Sequence, residues 1–151
     1  MTQSLDALIE RLEKLEGADR GVDGLIARDV DGWVPHFDLE GDRLLEWHDF
    51  GGHWHRAGTH PKGAACKARS DSYPGFEREC PSYTASLDAA LALVARVLPG
   101  WGFHFGSNID DTFHAEVEHR MAPGTASVAD AKTPAIALYL ATLQALRKEK
   151  R

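Results

Sequence analysis

Two runs of strict alternation joined by a short turn constrain this chain more than any other feature. Trp101, Phe103 and Phe105 recur at every second position, with Gly102, His104 and Gly106 between them. That is the period of a strand with two unlike faces. Ser107-Asn108-Ile109-Asp110-Asp111 has turn chemistry. Alternation then resumes, with Phe113, Ala115, Val117 and Met121 on one side and Thr112, His114, Glu116, Glu118 and Arg120 on the other. A hairpin is predicted. Helical patterns flank it. Leu87, Leu91, Val94 and Leu98 recur at helical spacing after Thr84, the predicted N-cap, with Asp88 in the first turn and Pro99-Gly100 as the stop. After a loop at Pro123-Gly124, Thr133-Pro134 opens a last helix with a stripe of Ile136, Tyr139, Leu140, Leu143 and Leu146. Its C-terminal end carries Arg147, Lys148, Lys150 and Arg151, where the helix dipole favours positive charge.

The first third repeats the helical theme. Leu5, Leu8, Ile9, Leu12 and Leu15 predict an amphipathic helix over 4–16, with Ser4 as cap, Glu10 and Lys14 as an i,i+4 pair and Gly17 as the stop. A second, short helix is expected from Asp19, with Val22, Leu25 and Ile26 facing inward. Strands are expected near 33–39 and 43–50, with a turn at Glu40-Gly41-Asp42. The chain from Gly51 to Pro81 reads mostly as loop. Five of the eight histidines fall between residues 31 and 81. A long loop inside a compact domain is a place to look for function.

The predicted fold class is α+β: a small antiparallel sheet layered with helices, an α-β-α sandwich, in one domain over 1–151. A His-rich and basic loop-like segment lies at about 47–80. With 151 residues the chain can bury a substantial core. Its formal charge of −6 gives no global positive field for coating nucleic acid or an anionic membrane. The first residues lack the basic and apolar regions of a signal peptide, and no apolar run is long enough to span a bilayer. With Cys66 and Cys80 alone, a reduced, cytoplasmic setting is the expectation.

The segment Pro81-Ser82-Tyr83-Thr84-Ala85-Ser86-Leu87-Asp88-Ala89-Ala90, the strand start Trp101-Gly102-Phe103 and the closing Thr133-Pro134-Ala135-Ile136-Ala137-Leu138 resemble the phage α-β-α (ABA) sandwich domain family. Leu15-Glu16-Gly17-Ala18-Asp19-Arg20, with Asp23 and Ile26, is similar too. The resemblance covers about 5–28 and 81–146. It implies the sandwich fold and a phage or prophage origin, hence a host cytoplasm. It carries over no catalytic residue, and fold does not imply function.

Charge supplies the leading candidate site. Between Asp49 and Asp71 there is no acid, but there are Arg56, Lys62, Lys67 and Arg69, with His53, His55 and His60 among them and Trp47 and Trp54 beside them. A guanidinium offers phosphate a planar fork, an ammonium a point charge, and an indole a surface on which a base can stack. These nine residues are the expected ligand-binding set for a small anionic molecule. The competing reading is a solvated loop whose tryptophans pack onto the sheet.

Two further sites stay open. His48, His53, His55, His60, Cys66 and Cys80 are metal-ligand types, yet no CxxC or HExxH spacing joins them. His104, His114 and Glu116 are expected cross-strand neighbours, and an imidazole beside a carboxylate can act as acid or base. The leading reading is a non-enzymatic phage-encoded protein, without cofactor, that sequesters a nucleotide signal of host antiphage immunity, such as a cyclic nucleotide. The alternatives are a protein-binding inhibitor of a host defence factor and a metal-assisted hydrolase. An exposed sheet edge adds an expectation of homo-oligomers.

Overall fold

The computed structural model describes residues 2–37, 44–48, 54–56, 67–68 and 80–150, with side-chain surroundings for 5–33 and 80–150. The described residues form helices α1 (Thr2–Glu13), α2 (Arg20–Asp29), α3 (Leu87–Val97) and α4 (Pro134–Glu149). The strands are β1 (Val34–Phe37), β2 (Leu44–His48), β3 (Trp54–Arg56), β4 (Lys67–Ala68), β5 (Trp101–Ser107), β6 (Phe113–His119) and β7 (Ser127–Ala131). The architecture is α+β, with a small antiparallel sheet layered against helices. The chain divides into two compact units, Met1–Val22 with Ser82–Arg151, and Asp23–Pro81.

The first unit is organised by α4. Residues 135–143 of this helix are buried without interruption, as is Ala145. A helix apolar on all sides must be covered on all sides. Strands β5, β6 and β7 cover one side, and α1 and α3 also pack on it. The sheet runs β5-β6-β7, antiparallel throughout. Ala115, Val117, Ser127 and Ala129 form a buried floor for the helix, and their small size allows close approach. Leu5, Leu8, Ile9 and Leu12 of α1 and Leu93, Val94 and Leu98 from α3 and its end complete the core. Between α3 and β5, Gly100 takes a φ of +86°, a left-handed turn that disfavours a side chain.

The last helix starts as predicted. The Thr133 hydroxyl accepts the Ile136 N–H at 3.2 Å, and Pro134 fills the first turn. The start of α3 differs from expectation: its cap is Ser86, which accepts the Ala89 N–H, and not Thr84. The Thr84 hydroxyl is buried and accepts the Asp19 N–H at 2.9 Å while lying 3.3 Å from the Asp19 carbonyl. A contact 65 residues away thus engages the oxygen that local sequence offers to the helix. Helix α1 begins earlier than predicted, before Ser4, and ends at Glu13; the Glu10–Lys14 pair closes at 2.7 Å. Asp19 caps α2 by accepting the Val22 N–H.

In the second unit, α2 continues to Asp29, and Gly32, with a φ of 73°, turns the chain out of it. Trp33 folds back there: its N–H reaches the Ala27 carbonyl, and its indole donates to buried Asp31 at 3.0 Å. Strands β1 and β2 match the predicted pair. Strands β3 and β4 fall where loop was expected, and extend the sheet to the order β3-β2-β1-β4. They are three and two residues long, too short for a period to show in the sequence. The third strand of the first unit, β7, also lies where a loop was expected.

Candidate functional site

The predicted ligand-binding residues are divided by the second unit's sheet. Trp47 stands opposite His55, His48 opposite Trp54, and Glu46 opposite Arg56. Adjacent strands lie about 4.8 Å apart, so these are neighbouring rungs of one ladder. Alternation places Trp54 and Arg56 on one face, in rows with His48, and with Glu46 and His36. Trp47 and His55 take the other face, in a row with Pro35. Lys67 pairs with Phe37 at the opposite edge, and its neighbour Ala68 stands in the His36 row, so Lys67 belongs to the Trp47 face. His53, His60, Lys62 and Arg69 lie outside the described residues. One face therefore carries Pro35, Leu45, Trp47, His55 and Lys67. The other carries Val34, His36, Glu46, His48, Trp54 and Arg56.

The polar face of the first unit's sheet is the second candidate. His104 Nε2 lies 3.4 Å from Glu116 Oε2, as the cross-strand reading expected. His114 pairs with Asp130 instead, Nδ1 to Oδ1 at 3.2 Å. The two imidazoles thus have separate carboxylates. His104 is 72% exposed in its side chain and Asp130 60%. Among the described residues, neither imidazole is hydrogen-bonded to a serine, threonine or cysteine side chain, so the nucleophile of an activated dyad has no counterpart there.

His114 and Asp130 border a cleft of about 640 Å³ at the hairpin tip, with Glu13 and Glu16 on its far wall. Asp110, Thr112, Asn108, Asp130 and His114 form one hydrogen-bonded network. Asn108 donates to Asp130 at 2.8 Å and to the Thr112 hydroxyl at 2.9 Å. The Thr112 hydroxyl donates to Asp110 at 2.6 Å, and the Thr112 N–H donates to the same oxygen. Those bonds, with the nearby Lys132 ammonium, hold the Asp110 carboxyl below its usual range. This network closes the turn, in which Asp111 takes the left-handed conformation with φ 60°. Glu13, Glu16, Asp110 and Asp130 outnumber Lys132, so the cleft repels an anion. Its Asp130 was missed in the sequence because β7, Ser-Val-Ala-Asp-Ala, buries its serine and central alanine and exposes Val128. The inverted polarity hides the strand. Only the period-two spacing of Ser127, Ala129 and Ala131 signals it.

No group of three or more histidine, cysteine, aspartate or glutamate side chains is placed to hold a metal ion among the described residues. Cys80 is buried. Among the described residues, no helix is long and apolar enough to cross a membrane. No protein-family model, no curated protein and no solved structure matches the chain.

Proposed function

We propose that the protein binds a small anionic ligand of the nucleotide class on the β1–β4 sheet and leaves it chemically intact. One observation carries the reading: Trp54 and Arg56 share a face with His36 and His48, within neighbouring rungs of the β1-β2-β3 ladder. An indole set among imidazoles and a guanidinium suits a base that stacks and a phosphate that takes a planar fork. Glu46 stands opposite Arg56 in the ladder. In sequence, the run from 50 to 70 has no acid and carries Arg56, Lys62, Lys67 and Arg69.

In the phage setting that the sequence resemblance suggests, the ligand is a nucleotide signal of host immunity, and binding lowers its free concentration. Calorimetric titration with a panel of cyclic and linear nucleotides tests the binding. A saturable heat with at least one of them is the expected outcome; no heat from any at millimolar concentration overturns the reading.

A further inference from the structure

Strand β5 reads Trp-Gly-Phe-His-Phe-Gly-Ser, and its centre, Gly102-Phe103-His104-Phe105-Gly106, is a palindrome about His104. An antiparallel strand pair related by a two-fold axis places each residue opposite its mirror position. A palindromic strand is therefore complementary to itself, as a two-fold interface requires. We infer that β5 is the dimer interface of this protein, pairing with β5 of a second copy about an axis through His104.

The edge is open. Among the described residues β5 pairs with β6 alone. Native edge strands are commonly blunted by lysine, proline or a bulge. Strand β5 contains no lysine or proline, and its register with β6 is unbroken over all seven residues. Phe103 and Phe105 are 42% and 40% exposed on the helix-facing side, and their rings stack with centroids 6.4 Å apart.

The hydrogen-bond phase fits the same axis. Asn108 N–H bonds to the Thr112 carbonyl, and Arg120 N–H to the Gly100 carbonyl. Those two pairs fix the even-numbered residues of β5 as the ones whose backbone groups point to β6. Phe103, Phe105 and Ser107 then direct their N–H and C=O groups to the open edge, as Trp101 does its C=O, while the Trp101 N–H donates to the Leu98 carbonyl at 3.1 Å. With the axis at His104, Phe103 meets the second copy's Phe105, and Trp101 meets its Ser107. All four outward residues of each copy find a partner, with two bonds in each Phe103–Phe105 pair and one, from the Ser107 N–H to the Trp101 carbonyl, in each Trp101–Ser107 pair. Centring the axis on Phe103 would set Ser107 against Pro99, which has no N–H; centring it on Phe105 would set Trp101 against Ile109 in the turn. The four phenylalanines of the two copies then close into one apolar cluster.

Glycine at 106 fits as well. Within one chain a Cβ there would meet nothing within 4 Å, so the protomer gives no packing reason for it. In the dimer it flanks the paired His104 side chains, where a second backbone comes close.

The inference does not depend on the ligand. Sedimentation equilibrium of the full chain should give twice 16.6 kDa. Phe103→Lys with Phe105→Lys should return it to 16.6 kDa with an unchanged circular dichroism spectrum. Under mild oxidation, His104→Cys should give a covalent dimer that neither the wild type nor Val128→Cys, on the other edge strand, forms. A wild-type mass of 16.6 kDa, or equal cross-linking from residue 128, overturns the inference.

Discussion

Leu143→Ala lowers stability by about 2–5 kcal/mol, the range for deleting a fully buried leucine side chain whose site cannot collapse. Leu143 is completely buried in α4, the helix that the sheet, α1 and α3 all pack against. Its neighbours on every side are held by other elements, so the cavity persists. For a unit of this size each kcal/mol moves Tm by roughly 4–8 °C, and the loss exceeds roughly 8 °C. Arg147→Ala is the control on the same helix. Arg147 meets Asp6 at 3.2 Å in solvent, and exposed pairs of that kind contribute about 0–1 kcal/mol. Thermal melts of the two variants should separate clearly. Equal shifts would show that α4 is not the organising element.

The second large effect is on binding. Trp54→Ala should weaken the nucleotide that gives the calorimetric signal by about 5- to 150-fold, since stacking on an aromatic side chain is worth about 1–3 kcal/mol per base. Trp47→Ala, across the sheet, should leave affinity within about a factor of two, as it would remove no contact on the Trp54 face. The comparison separates the faces, which a loss of fold cannot do. If Trp47→Ala abolishes binding and Trp54→Ala does not, the ligand sits on the opposite face, with His55 and Lys67.

The strongly periodic elements were legible in the sequence. Helix α3, strands β5 and β6, and helix α4 each carry long repeats bounded by turn or cap residues, and each folds as its period dictates. The elements that escaped did so for physical reasons. Strand β7 buries small residues because α4 lies close above it, and exposes Val128. Thr84 lost the capping role to Ser86 because its hydroxyl serves the Asp19 backbone, a partner that local sequence cannot name. Strands β3 and β4 owe their existence to pairing with β2 and β1.

The candidate site was legible in its residue types but not in its geometry. The basic and aromatic composition of 47–69 marks the segment. Only the register shows that Trp54 and Arg56 share a face while Trp47, His55 and Lys67 take the other. On the hairpin, His104 and Glu116 met as alternation predicts, whereas His114 found Asp130 on a strand that the sequence concealed.

Capture and release tests the central claim of binding without transformation. The protein is incubated with candidate nucleotides, the free pool is separated by filtration, and the retained fraction is heat-denatured. One nucleotide should vanish from the filtrate and return unchanged, mole for mole, on denaturation. Its return as a different compound would contradict the account by showing turnover, and a filtrate undepleted in every nucleotide would contradict it by showing no binding.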